Sequence, residues 1–201
     1  MRSDEIRVTG ITSFDSYAAW SDDYTYGIDT VCPNGIHADI DEVEQKHLSE
    51  EDKLIIQKNI QQNVISLAEE YPETTFYYFI TPYSAAHWAG RIEAGEILRQ
   101  MEAEQYIIEL ILECDNIRLY SFSNRTDITM NLNHYKDSMH YGGWVNSWML
   151  RCMYDGEYLL TEENHMDYLK EERTFYTTYD YESLNGQEDY ECDEDAELLL
   201  E

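Results

Sequence analysis

Two strand-length apolar runs flanking one long amphipathic helix constrain this chain more than any other feature. The runs are Thr75-Phe76-Tyr77-Tyr78-Phe79-Ile80 and Ile117-Arg118-Leu119-Tyr120-Ser121-Phe122. Between them, over about residues 91–113, Leu98, Met101, Ile108 and Leu112 recur at helical spacing, and Asn116 breaks the pattern. A strand, a crossover helix and a second strand form a βαβ unit. The strands at 76–81 and 117–122 are therefore expected to lie parallel in one sheet, with a right-handed crossover. The first run shows no polar alternation, so it reads as buried on both faces.

The flanking segments are consistent with that unit. Ser49-Glu50-Glu51-Asp52 is a capping-box signature that opens a helix over 50–70, with Ile56, Ile60, Val64 and Leu67 on one face and Pro72 as a stop. After the second strand, a polar loop runs from Ser123 to His140. A helix from Trp144 to Tyr154 follows, closed by Asp155-Gly156, and then a last helix capped by Thr161 and ending near Tyr179. Residues 1–48 read as irregular, with a β-like run at Ile6-Arg7-Val8 and a turn at Pro33-Asn34-Gly35. Two strands make a thin sheet for 201 residues, which leads us to expect a further segment upstream.

Charge and cysteine usage exclude several classes of function. The formal net charge is -29, a surface that repels polyphosphate backbones, so no nucleic-acid partner is expected. No apolar run approaches the roughly 20 residues of a membrane span, and the first residues lack a signal-peptide core, so membrane insertion is not expected. Glu188, Asp189, Glu191, Asp193, Glu194 and Asp195 crowd the end of the chain without calcium-loop spacing. The chain thus divides into a domain at 1–185 and an acidic tail at 186–201. Cys32, Cys114, Cys152 and Cys192 form no Cys-x-x-Cys pair, and Cys114 and Cys152 are expected as buried thiols. No cofactor motif is present.

Chemistry concentrates in Asn133-His134-Tyr135-Lys136-Asp137-Ser138-Met139-His140-Tyr141-Gly142-Gly143. In an open α/β sheet, ligands bind beyond the carboxyl ends of the strands, which is where this loop should lie. An Asp three residues before a His can accept the imidazole Nδ1–H, fix the tautomer and leave Nε2 as a base. Asp137 and His140 are therefore the candidate acid–base pair, the alternative being a hydrogen-bonded loop staple. His134 and His140 could join Asp137 around a metal, but no tetrahedral ligand set is apparent and no metal is expected.

The order of elements, together with particular segments, carries a family resemblance. The segments are Phe14-Asp15-Ser16-Tyr17 with Trp20, Pro72 to Phe79 leading to Pro82-Tyr83-Ser84 and Trp88, Asn133 to Tyr141, and Gly156 to Thr161 with Asn164. Over residues 10 to about 184 the chain resembles the C-terminal part of the SGNH (GDSL-like) hydrolases. It looks most like a membrane-associated bacterial subgroup, more distantly similar to proteins that help D-alanylate teichoic acids. The resemblance implies a partial three-layer, flavodoxin-like (SGNH-type) α/β fold, with a parallel sheet and flanking helices. It also implies a serine esterase or acyltransferase acting on a cell-surface glycan or small ester, in the cell envelope and extracytoplasmic when full length. Tyr83, Ser84 and Trp88 would then lie near the substrate, alongside Asp137 and His140; the alternatives are core or rim packing for Tyr83 and Trp88 and a loop-capping hydroxyl for Ser84.

The chain departs from that family at the nucleophile. The family places its serine on a Gly-Asp-Ser-Leu-like turn after the first strand, with oxyanion donors from a Gly and an Asn on later strand ends. Thr9-Gly10-Ile11-Thr12-Ser13 imitates that turn, which makes Ser13 the weak candidate nucleophile. Too little chain follows it to build the intervening strand–helix units. Two readings stay open: a hydrolase lacking its nucleophile segment and inactive alone, or a non-catalytic binding module. The unpaired strand edge also suggests a homodimer.

Overall fold

The computed structural model describes residues 24–188. Ser13, the β-like run at Ile6–Val8, Cys192 and most of the acidic tail lie outside the described residues. The fold is mixed α/β around a two-stranded sheet. In chain order the elements are α1 (Ile28–Val31), α2 (Glu50–Ile60), α3 (Ser66–Glu70), β1 (Phe76–Ile80), α4 (Ala85–Glu93), α5 (Ile97–Leu112), β2 (Ile117–Ser121), α6 (Thr126–Thr129), α7 (Gly143–Asp155) and α8 (His165–Thr178). A 3₁₀ turn, Leu132–His134, precedes α7, and another, Tyr181–Gly186, follows α8.

β1 and β2 are parallel, with Phe76 opposite Ile117 and Ile80 opposite Ser121. On one face Phe76, Tyr78, Ile80, Ile117 and Leu119 pack with Ala68, Ile108, Ile111 and Leu169, from α3, α5 and α8. Tyr120 and Phe122, of opposite parity, pack against Val145, Trp148, Met149 and Cys152 of α7. The outer edge of β2 is covered by an antiparallel bridge from Tyr120 to Leu159, and Leu160 N–H donates to the Leu119 carbonyl at 2.8 Å. A third cluster, with Trp88, Ile92, Ile97, Leu132, Tyr176 and Tyr181, joins α4, α5 and α8.

The capping box opens α2 as expected. Ser49 Oγ accepts the Asp52 N–H and the Asp52 carboxylate accepts the Ser49 N–H, while Arg99 reaches across from α5 to the same carboxylate at 2.6 Å. Asn116 pins the entry to both strands, because its Nδ2 faces the carbonyls of Ala68, Tyr71 and Thr74 at 3.0–3.3 Å.

Several expectations need correction. β1 is not buried on both faces: its exposure alternates, and Tyr77 and Phe79 are 59% and 43% exposed. The apolar stripe of α2 does not continue to Leu67. A π-helical turn at Gln61–Ile65 adds a residue to the helix; its last residue, Ile65, and Ala68 beyond it are buried, and Leu67 faces out. The single helix over 91–113 is two helices. Gly95 separates them at φ 68°, and a Cβ there would meet the Glu44 carbonyl at 2.7 Å, so only glycine fits the turn. Cys114 lies just past α5 and is partly exposed rather than buried, while Cys152 is buried. Gln187 hydrogen-bonds through its side chain to Leu132 N–H and the Met130 carbonyl.

Candidate functional site

The site is a short hairpin beyond the carboxyl ends of the two strands. Tyr135 and Tyr141 form an antiparallel bridge, Gly142 N–H donates to the His134 carbonyl at 2.9 Å, and Lys136 N–H donates to the His140 carbonyl at 3.0 Å. Asp137, Ser138 and Met139 occupy the tip. The hairpin needs a glycine at its exit, because a Cβ on Gly142 would overlap the Trp144 ring at 2.2 Å. Trp144 Nε1–H in turn donates to His134 Nδ1 at 3.2 Å.

Asp137 organises the tip. Its Oδ1 accepts the backbone N–H of Met139 and of His140, each at 2.8 Å, and its Oδ2 lies 2.8 Å from His140 Nδ1. Partial burial pushes the carboxyl up. The two backbone donors and the His140 ring outweigh that effect and hold it below the usual carboxylate range. A carboxylate at Nδ1 places the proton on that nitrogen and leaves the Nε2 lone pair available. The His140 and Asp137 side chains are 59% and 48% exposed, so Nε2 is open to solvent.

The end of β1 holds the hairpin from below. Ser84 Oγ–H donates to the Ser138 carbonyl at 2.7 Å, Tyr135 O–H donates to the Pro82 carbonyl at 2.7 Å, and Thr81 Oγ1 bonds the Tyr141 hydroxyl at 3.2 Å. The expected residue Ser84 is thus brought to the segment bearing Asp137 and His140. Ser84 is fully buried and also caps α4, its Oγ accepting the His87 N–H. Tyr83 stacks on His87 at 4.2 Å. Trp88 is fully buried and stacks on Tyr176 at 4.6 Å, so its ring presents no face to solvent.

Burial pushes the His134 and His87 rings down to about 4, which keeps both neutral at pH 7. Among the described residues, no group of three His, Cys, Asp or Glu is placed to share a metal ion. Burial raises the Cys152 thiol to about 11, so it is a core group rather than a nucleophile. Among the described residues, no helix is long and apolar enough to cross a membrane.

Sequence reading missed the supports of the hairpin, Thr81, Tyr135 and Tyr141. The one available signal was the pair of tyrosines flanking the Asp-x-x-His element, Tyr135 two residues before Asp137 and Tyr141 directly after His140. The chain matches no protein-family model, no curated protein and no solved structure.

Proposed function

We propose that this chain carries the acid–base half of an SGNH-type hydrolase site, for ester hydrolysis or acyl transfer on a cell-surface glycan or small ester. The observation behind the reading is the Asp137–His140 pair, oriented through Nδ1 with Nε2 exposed, beyond the carboxyl ends of a parallel strand pair. In such a site His140 takes the proton of a serine hydroxyl as that oxygen attacks the ester carbonyl. Asp137 holds the tautomer and stabilises the imidazolium that forms. His140 then returns the proton to the leaving oxygen. The fold consistent with this reading is the closing part of a three-layer, flavodoxin-like sheet.

One observation favours a second reading, a non-catalytic binding module. Among the described residues, no hydroxyl bonds His140 Nε2, and the Ser84 hydroxyl is committed to the Ser138 carbonyl. Without a partnered hydroxyl, the base alone gives little turnover, since triad members act as a unit.

A fluorophosphonate serine probe separates the readings. Labelling at Ser13 that disappears in His140→Ala would make this chain a complete hydrolase. Labelling only in a longer chain that supplies a serine upstream would support the half-site. A chain that stays unlabelled in both forms is a binding module.

A further inference from the structure

Two glutamates on packed helices are turned into the same part of the interior. Glu172 of α8 is 1% exposed, and its Oε1 is enclosed with no hydrogen-bond partner. Glu104 of α5 is partly exposed as a residue, but its Oε1 is likewise enclosed and unpartnered. Ser123 Oγ, just past β2, is a third buried oxygen without a well-formed hydrogen bond, and it lies close enough to the Glu172 carboxyl to favour its ionised form. Neither glutamate has an ion-pair partner among the described residues, and the charge that acts on Glu172 is that of Glu104.

The surroundings supply no compensating cation. From α8, Tyr168 bonds Ser121 Oγ at 2.7 Å and accepts the Asn124 N–H at 3.1 Å. Tyr176 donates to the Ser123 carbonyl at 2.5 Å and lies 2.8 Å from Thr129 Oγ1. Arg173 reaches Glu102 at 3.9 Å, where His47 also binds at 2.7 Å. Lys53 of α2, the helix packed on the other side of α5, bonds Glu50. Asp167, Lys170 and Glu171 line the outer groove of α8, together with Asn124 and Thr126. Two ionised carboxylates in this setting would each be desolvated and would repel the other.

We propose that Glu104 and Glu172 form a proton-held latch between α5 and α8, closed while the pair keeps at least one proton and loosened when both carboxyls ionise. Burial pushes Glu104 up to about 7, and burial together with the Glu104 charge raises Glu172 well above the carboxylate range, outweighing the Ser123 hydroxyl, which acts to lower it. Both folded-state values exceed those of the unfolded chain. The stabilisation is therefore fully present below the ordinary glutamate value near 4.3 and is lost as pH rises through neutrality. Opening the latch frees α8, whose Tyr168 and Tyr176 hold the segment from Ser121 to Thr129 that leads to the site hairpin. The device does not depend on which chemistry the hairpin performs.

Denaturant unfolding of the full chain, followed from about pH 5 to about pH 8, tests it. The folding constant should fall with rising pH, by up to about tenfold per unit for each proton released. Glu104→Gln and Glu172→Gln should each reduce that slope and should be more stable than the parent at the alkaline end. An unchanged slope in both variants overturns the latch. So does recovery of stability at high pH on adding sodium or calcium, seen in the parent and lost in the variants, because the pair would then be a cation site. Should either variant fail to fold, carbon-13 NMR of the glutamate side-chain carboxyls in the parent decides. Two resonances titrating near or above neutrality support the latch, and all glutamates titrating in the ordinary range refute it.

Discussion

Ser84 Oγ, buried at the end of β1, donates a 2.7 Å hydrogen bond to the carbonyl of Ser138, the residue immediately after Asp137. The segment bearing the acid–base pair is therefore tied to the connection between β1 and α4, far from it in sequence. Removing this hydroxyl leaves a carbonyl without its donor and also removes the cap of α4. Ser84→Ala should lower stability by about 1–3 kcal/mol. It should also shift the backbone amide resonances of Met139 and His140. Unchanged amides, even with lowered stability, would mean that the hairpin is positioned by its own turn alone.

The Asp137 turn has a defined pH signature. Its folded-state carboxyl is depressed, so the order it provides is present above the ordinary Asp value near 3.9 and is lost as pH falls through the lower folded value. The protection factors of the Met139 and His140 amides, taken against the unstructured exchange rate at each pH, should stay high at mildly acidic pH and fall as Asp137 is protonated in stronger acid. Asp137→Ala, which removes the acceptor, should show low protection of both amides at every pH. Protection of both amides in that variant would show that the carboxylate does not hold the tip.

The parts legible in sequence were those set by short-range patterns. The apolar runs gave the parallel pairing of β1 and β2, Ser49 and Asp52 gave the start of α2, and Asp155-Gly156 gave the end of α7, where Gly156 is left-handed. The spacing of Asp137 and His140 gave their contact. Relationships decided by packing were hidden. The run Phe76 to Ile80 is apolar at every position, so nothing in it revealed that Tyr77 and Phe79 lie exposed. The apolar pattern ran on past Gly95, where a left-handed glycine and the close approach of the Glu44 backbone break the helix. Glu104 and Glu172 each look like solvent-facing charges on amphipathic helices, and their shared burial arises from the packing of α5 on α8.

Trp88 provides a test of core against substrate contact. A ring with no exposed surface, stacked on Tyr176, contributes packing rather than a sugar platform. Trp88→Ala should cost about 3–5 kcal/mol. In the parent, titration with soluble glycan fragments should leave the fluorescence of this tryptophan unchanged, resolved by comparison with variants of the other tryptophans. A glycan-dependent change that vanishes in Trp88→Phe would place the ring at a binding surface and contradict the burial.

The free edge of β1 leads to the last prediction. Phe76 N–H donates to the Asn116 carbonyl at 2.9 Å. In a parallel ladder, the N–H and carbonyl groups of Tyr77 and Phe79 must therefore point to the opposite side. Among the described residues no strand pairs there, and β1 carries no charge, proline or bulge to discourage pairing. Two copies related by a two-fold axis could pair these edges antiparallel and cover the exposed rings of Tyr77 and Phe79. The net charge of -29 on each copy opposes that approach, so added salt should promote it. Sedimentation velocity should show a dimer fraction that grows with protein concentration and with salt. Phe79→Lys, which places an edge charge where two copies would meet, should abolish it. A monomer under all conditions would refute pairing through this edge, and a dimer indifferent to Phe79→Lys would place the interface elsewhere.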